Sequence, residues 1–563
     1  MSDPATVPDP GRIPVYPEFF NDVFGPVMQP GSSSHTAGPC RMGYLAADLL
    51  GEPVRSARIV LDEHGSFGGT FGIMAEDRAM VAGILGLLPD DERLFGAFEL
   101  ARERGVDVAF EFSTIDESDH PNAMKFVLTG ESGRVATMVG TSIGGGMVET
   151  VSMNELPLRV KGDTYVLLVF TGEKDSAAED APEPSQAQIV GLTADLPGVV
   201  QTRNVFGSTG TGMRVLRLSQ APDLVAVRAA ARELSPRLRI VLLRPVLPVL
   251  TQPVRRPQLF DTMTRWRELA EERGLALSEV AVQYEMDASG WPREQVVDFM
   301  RGLADLMRRQ TRAAYEEDVV VPAGPFKPDF SGRWAAHMNS AARVSDGITA
   351  GTIKLAYGAG AGIPGVPNVP GPMGGGGGYI YAALSAVAER RGLGGDDLVR
   401  GLFVAAGVGA IAYTRTEPTG EIIGCTGEAG ICGAMASAAI VELVGGAPHA
   451  AEHAASLALQ AFTGMPCDPM PGGLCQPCRS RIMAATCMAH VFADMALAGH
   501  DAVLPLHEAI DIADAIGRRL PPELLCTSAG GGCAAPSAWE RRRAFARWFK
   551  ETPPQDRPPG NLI

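Results

Sequence analysis

The sequence lacks the segments that direct a protein to a membrane or to nucleic acid. Residues 1–14 are rich in proline and aspartate and lack the basic stretch and apolar run of a signal peptide. The longest apolar runs, such as residues 401–413, are shorter than the roughly 20 residues that cross a bilayer as a helix. The net charge is −16, and no compact basic patch opposes it, which disfavours nucleic-acid and membrane partners.

Cysteines are few and unevenly placed, which argues against a disulfide framework. Of nine cysteines, all but Cys40 fall between Cys425 and Cys533, beside glycine, proline and aspartate. In a reducing compartment such clustering favours metal binding over disulfides. We therefore predict a cytoplasmic protein with a metal site in this segment.

The length and composition predict several folded units. A chain of 563 residues exceeds one ordinary core of about 100–200 residues, and 45% hydrophobic with 20% charged residues is typical of folded proteins. Hydrophobic periodicity predicts an α+β multidomain protein, because strand-like runs dominate the first part and helical patterns the last. The predicted units are 1–159 (α/β), 160–250 (ferredoxin-like), 251–330 (helical lead-in), 331–540 (all-helical) and 541–563 (basic, proline-rich tail).

The middle unit and the tail carry more specific expectations. The middle unit has a strand-like run at 164–170, an acidic loop at 173–184, a helix at 224–234 and a strand at 239–243. This order fits a regulatory small-molecule-binding fold, and it also fits a plain structural spacer. The basic and then proline-rich composition of the tail predicts a surface helix followed by disorder.

Three cysteines form the strongest group of chemical residues: Cys425, Cys467 and Cys478. Thiolates are the preferred ligands of iron–sulfur clusters, and nearby glycine and proline let the backbone aim N–H groups at the sulfurs. By spacing alone, the three fit small buried packing residues equally well. Their surroundings are GCTGEAG at 424–430, CDPMPGG at 467–473 and PCRSR at 477–481.

A serine-rich loop near the N-terminus is the second group. The segment PGSSSHTAGP occupies residues 30–39 and carries four hydroxyls and one imidazole in a row. These groups are able to hold a carboxylate and to orient an amino acid. A serine-rich surface turn is the alternative. The five residues are Ser32, Ser33, Ser34, His35 and Thr36.

Together the motifs resemble the iron–sulfur L-serine dehydratases. The cysteine motifs are similar to those of the family's catalytic subunit, while the serine loop, HPN at 120–122 and SIGGG at 142–146 are similar to those of its other subunit. The resemblance covers about residues 17–536 and implies both subunit types fused in one chain. It implies a serine dehydratase β-type domain, then an ACT-like ferredoxin-fold domain, then an all-α cluster-binding catalytic domain.

The resemblance also implies the chemistry. Cys425, Cys467 and Cys478 are expected to hold a [4Fe–4S] cluster with one iron open to a substrate hydroxyl. The implied reaction eliminates water from L-serine and yields pyruvate and ammonia. The substrate-binding residues are expected to be Ser32 to Thr36 together with Gly145. The partner is thus a small amino acid, and we expect a homodimer.

The sequence departs from the family at a candidate base. The family histidine in a Gly-His-Gly-Thr-Asp motif is Met74 here. Removal of the Cα proton needs a positioned base, and histidine suits that task best. We predict His64 as the replacement base, with His35 holding the substrate carboxylate and Glu76 as the fallback. The alternative for His64 is a loop histidine without a role.

Other departures indicate a changed substrate pocket. Residues 415–421 and 525–533 differ from the family's stretches, and a cysteine found at the extreme C-terminus of some members is missing. Another β-hydroxy or β-substituted amino acid, in a biosynthetic pathway, is therefore a second candidate substrate, and a non-catalytic cluster-binding sensor is a third function. Four cysteines are candidates for the missing one, although packing is the simpler role of each: Cys432, Cys475, Cys526 and Cys533.

Overall fold

The computed structural model describes residues 16–171, 184–207, 212–252, 256–319, 331–470 and 476–557. The described chain has a β-rich N-terminal part and a helical C-terminal part, as the α+β prediction requires. All but the last residue of the predicted acidic loop at 173–184 lies outside the described residues, and so does Cys475.

A six-stranded sheet forms the core of the N-terminal part. Its strand order is β2-β1-β3-β4-β5-β6, with β1 and β2 parallel and the other neighbours antiparallel. Phe126 and Leu128, two residues apart, point to the same buried face, as the period of a strand requires. The elements are α1 (Gly38–Leu50), β1 (Val54–Leu61), α2 (Ser66–Thr70), α3 (Glu76–Ile84), α4 (Ala97–Glu103), β2 (Asp107–Phe112), β3 (Ala123–Gly130), β4 (Val135–Ser142), β5 (Val148–Met153) and β6 (Leu156–Pro157).

A four-stranded antiparallel sheet follows, with the order β10-β7-β9-β8. The chain order β-α-β-β-α-β is that of a ferredoxin-like fold. One face of the sheet packs on its two helices, and the other joins the hydrophobic core of the N-terminal part. The predicted helix at 224–234 and strand at 239–243 match α6 and β10. The elements are β7 (Tyr165–Thr171), α5 (Gln186–Thr193), β8 (Val199–Phe206), β9 (Gly212–Leu218), α6 (Leu224–Leu234) and β10 (Arg239–Leu243).

The C-terminal part is helical. Alanine and glycine on its central helices allow close packing, so that almost the whole of α15 is buried. The described helices are α7 (Met263–Arg273), α8 (Leu277–Ser289), α9 (Arg293–Glu316), α10 (Ser331–Met338), α11 (Gly347–Ala359), α12 (Gly376–Arg391), α13 (Gly395–Arg415), α14 (Gly420–Ile423), α15 (Ile431–Leu443), α16 (Pro448–Ala461), α17 (Gln476–Leu497), α18 (Leu506–Gly517) and α19 (Pro536–Glu551).

Helix α13 is longer than its apolar run suggested. It has 21 residues and is the one helix among the described residues with the length and hydropathy of a membrane span. The helix extends beyond the run at both ends, which corrects the length argument made from the sequence. Most of its apolar stretch, 78%, is buried inside the protein, as expected for a core helix.

The first described residues pack into the helical core. Phe19 stacks on Tyr284 of α8 with ring centroids 4.9 Å apart. Phe20 and Phe24 join the same cluster of buried residues. The N-terminal and helical parts are therefore joined at the beginning of the chain and again around the site described below.

The tail contains the predicted surface helix, α19, of which only Ala538 and Phe545 are buried, but the residues after it up to 557 are held in place rather than disordered. One face of α19 is aromatic, and Phe545 is buried against Ile73, Met74 and the cysteine group. Arg557 lies 3.5 Å above the ring of Phe549 and pairs with Asp77 at 3.1 Å. An apolar face and a buried ion pair fix the tail across the N-terminal part up to residue 557, and residues 558–563 lie outside the described range.

Candidate active site

Cys425, Cys467 and Cys478 converge, as the sequence predicted. Their sulfur atoms all lie within 4.8 Å of one another, and the Cys425 and Cys478 sulfurs are 3.8 Å apart. All three residues are buried and none forms a disulfide. Three free thiols at one point are a set of soft donors suited to iron or another thiophilic metal.

The local backbone explains how distant segments deliver these sulfurs. Cys425 follows Gly424, whose φ of +69° favours glycine and whose Cβ position would lie 2.1 Å from the Met465 carbonyl. The N–H of Cys467 donates to the Leu524 carbonyl at 2.8 Å. Cys478 lies in the first turn of α17, where helix N–H groups favour negative charge.

Without a bound cation, the surroundings of the three cysteines favour protonated thiols. Hydrogen bonds with neighbouring thiols, and then burial, raise the pKa of Cys467 well above its usual range. A positive group is near: Nη1 of Arg481 lies 3.5 Å from the sulfur of Cys425 and pairs with Asp468 at 2.7 Å. The thiols therefore keep their protons until a metal replaces them, which is the behaviour of a metal site.

A cavity of about 110 Å³ opens beside the sulfurs. Glycine, alanine, proline and methionine form much of its wall, so that its few polar groups are conspicuous. The polar and sulfur-bearing residues of the wall include Ser32, Ser34, His35, Met74, Glu421, Glu428, Cys467, Cys478, Arg479 and Cys526.

His35 is held in a buried hydrogen-bond network. Its Nδ1 lies 2.9 Å from Ser34 Oγ and 3.2 Å from Glu421 Oε1, and Ser34 Oγ donates to that carboxylate at 2.7 Å. Its Nε2 lies 2.8 Å from Ser66 Oγ, which donates to the carbonyl of Cys526 at 2.7 Å. Burial lowers the pKa of His35, and the charge of Glu421 opposes this shift.

Counting protons assigns two states to this network. When Ser66 donates to the Cys526 carbonyl, Nε2 of His35 must donate to Ser66, and with Nδ1 facing Glu421 the ring is an imidazolium. In the neutral ring with Nδ1–H toward Glu421, the Ser66 hydroxyl turns to Nε2 instead. His35 can therefore take up and release a proton at Nε2 with only a hydroxyl rotation.

The structure separates the predicted substrate-binding residues into two sets. Ser32, Ser34 and His35 line the cavity. Ser33, Thr36 and Gly145 support it from behind. Ser33 Oγ donates to a backbone carbonyl at 3.2 Å, and Thr36 Oγ1 donates to the carbonyl of residue 74 at 2.6 Å. Gly145 has a φ of +60°, and a Cβ at this position would lie 2.3 Å from the Tyr413 hydroxyl, so that only glycine fits this turn.

The two other predicted bases do not reach the cavity. The His64 side chain is 80% exposed, and its nearest ionic neighbour is Glu63 at 3.9 Å. Glu76 is buried at the start of α3, where Oε2 accepts the Met74 N–H at 2.9 Å, and burial raises its pKa well above the usual range. The geometry thus supports neither His64 nor Glu76 as the group that meets a substrate.

Several residues of the site were not predicted from the sequence. Glu421 and Ser66, which hold the two nitrogens of His35, had no motif of their own. Glu421 falls in the segment 415–421, and its departure from the family pattern was the only signal. Arg479 was noted merely as a neighbour of Cys478, although it lines the cavity.

Comparison with known proteins gives the same relationship for both parts of the chain. The family model "Serine dehydratase alpha chain" matches residues 272–532. The beta chain of L-serine dehydratase from Peptoniphilus asaccharolyticus is 36% identical over 148 residues, which is 26% of this chain and 66% of that protein. The alpha chain from the same organism is 26% identical over 293 residues, 51% of this chain and 99% of that protein.

A second alpha chain is more similar over a shorter stretch. The probable L-serine dehydratase alpha chain of Latilactobacillus sakei is 34% identical over 166 residues, which is 30% of this chain and 79% of that protein. Matches to both subunit types occur in one polypeptide, and the cysteines and the serine loop meet at one cavity. The chain therefore belongs to the iron–sulfur L-serine dehydratase family, with the alpha and beta types fused.

Proposed function

We propose that the protein is an L-serine ammonia-lyase that converts L-serine into pyruvate and ammonia. The observation that carries this proposal is the meeting of three buried thiols with the serine loop at one small cavity. The names of the relatives in both halves of the chain support the same reaction.

The cofactor that we propose is a [4Fe–4S] cluster on Cys425, Cys467 and Cys478. Three free thiols, a helix N-terminus at Cys478 and the Arg481 guanidinium beside Cys425 fit a group that needs thiolates and carries negative charge. When bound, the cluster would supply a Lewis acid for the β-hydroxyl of the substrate.

The protein's own groups bind and deprotonate the substrate. Arg479 is the basic side chain among the described residues lining the cavity, and with the Ser32 hydroxyl it is suited to the substrate carboxylate. His35 is suited to accept the Cα proton at Nε2, because burial favours its neutral form and Glu421 stabilises the proton once it arrives. His35 thereby replaces His64 as the proposed base.

The test is an anaerobic assay of the purified protein. We expect brown protein with about four irons per chain, and release of ammonia and pyruvate from L-serine. Iron-free protein with full activity would contradict the cluster, and cluster-loaded protein inactive on every amino acid tested would favour a sensor instead.

A second substrate remains a specific candidate because the pocket is less polar than the family pattern implies. Met74 replaces a histidine and lines the cavity together with Met373 and five glycines. These groups favour a substrate with an apolar β-substituent over L-serine. A panel of β-hydroxy and β-substituted amino acids in the same assay distinguishes the two, through the ratio of their kcat/KM values.

The middle unit is proposed to be an ACT-like regulatory domain. Support comes from its β-α-β-β-α-β order and its packing on the N-terminal part rather than on the cavity. A change of kcat/KM on adding amino acids that are not substrates would test it. A cytoplasmic location is proposed as well, because the eight described cysteines are free.

A further inference from the structure

A fourth cysteine, Cys526, lines the cavity together with Cys467 and Cys478, two of the three predicted ligands. It is 3% exposed, lies in the same buried cluster and makes thiol contact with Cys467. Its sulfur also lies within 4.8 Å of a ring nitrogen of His35 and a carboxylate oxygen of Glu421. The thiol thus stands between the cysteine group and the groups proposed to act on the substrate.

The backbone of Cys526 is held from both halves of the protein. Its N–H donates to the carbonyl of Cys467 at 2.7 Å, and its own carbonyl accepts from Ser66 Oγ at 2.7 Å. Its φ is +61°, a left-handed conformation that is costly for a residue other than glycine. Strain of this kind persists where surrounding contacts impose it, and here those contacts aim a thiol at the cavity.

Other buried cysteines behave differently. The Cys533 thiol donates to the Pro469 carbonyl at 3.0 Å, and the Cys432 thiol donates to the Gly371 carbonyl at 2.7 Å. Both thiols thus have a backbone carbonyl as hydrogen-bond acceptor, as expected for packing residues. The Cys526 thiol instead contacts the Cys467 thiol and the Ser66 hydroxyl, and it lines the cavity.

We propose that Cys526 is the fourth protein thiolate of the cluster when no substrate is bound. This inference rests on the proposed cluster. A four-iron cluster carries four terminal ligand positions, and the three predicted ligands fill three. The thiol loses its proton as the sulfur–iron bond forms, and the His35–Glu421 pair within 4.8 Å is the proton acceptor.

The proposal predicts that Cys526 protects the cluster from losing iron. Wild type, Cys526→Ser and Cys533→Ser are loaded anaerobically, their iron and sulfide are counted, and each is exposed to the same amount of air. We expect similar initial iron content in all three. Cys526→Ser should lose one iron per chain on the order of tenfold faster, with the electron paramagnetic resonance signal of a three-iron cluster, because its fourth iron lacks a thiolate.

Cys533→Ser is the matched control, since it removes a buried thiol from the same loop that donates to backbone. It should lose iron at the wild-type rate. Equal rates in Cys526→Ser and wild type would overturn the proposal while leaving the cluster intact. A wild type that never holds iron would overturn the proposed function as well, so the two failures are distinct.

A second measurement avoids the variants, should Cys526→Ser fold poorly. Loaded wild type and wild type stripped by a chelator are treated without oxygen with iodoacetamide, and the modified cysteines are identified by mass spectrometry. A coordinated Cys526 is protected in the loaded protein and modified at least several-fold faster after stripping. The same modification rate at Cys526 in both samples would overturn the proposal.

Discussion

The two walls of the cavity differ in chemistry and in origin. The wall from the N-terminal part carries hydroxyls and an imidazole on the segment that includes Ser34 and His35, and the wall from the C-terminal part carries sulfur. The chemistry of the first wall suits proton transfer and polar recognition, and that of the second suits a thiophilic metal. A substitution in one wall should therefore leave the property of the other wall measurable. Metal binding and proton transfer can in this way be tested separately.

The largest effect is expected at the sulfur wall. Cys467→Ser removes the proposed ligand that contacts both other thiols and the Cys526 loop. We expect loss of the visible absorption of the cluster and of all measurable turnover, since a metal site that loses a thiolate loses most of its affinity. Cys432→Ser is the control and should keep both. Full iron content in Cys467→Ser would show that the sulfur wall does not hold the metal.

His35→Ala tests the opposite wall. We expect kcat to fall by about 10³-fold at unchanged iron content, which is the usual contribution of a general base. The matched control is His64→Ala, which removes an exposed histidine and should stay within about twofold of wild type. If His64→Ala loses turnover instead and His35→Ala keeps it, the base is His64, as the sequence predicted.

The tail joins the walls, because α19 packs on Ile73 and Met74 as well as on the cysteine group. Arg557→Ala leaves Asp77 buried without its partner, a loss of about 2 kcal/mol that corresponds to about 30-fold more frequent undocking. Cleavage by chymotrypsin after Phe549 measures this opening. Arg543→Ala, at an exposed position of the same helix, should be cleaved as slowly as wild type.

Arg479 lies on the sulfur side but is proposed to bind substrate. Arg479→Met should raise KM about tenfold and change kcat little, since a carboxylate contact is made equally in the ground and transition states. Arg518→Met, at an exposed position directly after α18, is the control. A fall in kcat at constant KM would instead assign Arg479 to the cluster side of the division.

The smallest effect is a shift in pH dependence. The proposed mechanism requires the neutral form of His35, so kcat/KM should fall as the pH drops through the His35 pKa, which burial places below the usual value of about 6.5. Glu421 opposes that lowering, so Glu421→Gln should move the acidic limb to still lower pH. An acidic limb that moves to higher pH in Glu421→Gln would show that Glu421 does not stabilise the protonated form of His35.

Much of the fold was predictable because it depends on local pattern. The middle unit was predicted closely at α6 and β10, since alternation and helical period are visible in short windows. The helix of the tail was also predicted, but the docking of the residues after it was not, because Arg557 pairs with Asp77, 480 residues away, and no local pattern indicates an ion pair at that distance.

The site was predictable where a motif marks it. The three cysteines and His35 stand in recognisable stretches, and the structure brings them to one cavity. Glu421, Ser66 and the orientation of Cys526 depend on folding, because the contacts that define them join the two ends of the chain. His64 was favoured for its closeness in sequence to Met74, but its side chain is exposed and does not line the cavity.

The hydrogen bond from Ser66 to Cys526 joins groups 460 residues apart. In an enzyme with separate subunits, such a bond forms only when two molecules meet, and dilution breaks it. A single polypeptide converts that meeting into an intramolecular event with an effective concentration that reaches the millimolar range for short flexible links. The fused chain should therefore keep a complete cavity at nanomolar protein, with a specific activity independent of enzyme concentration.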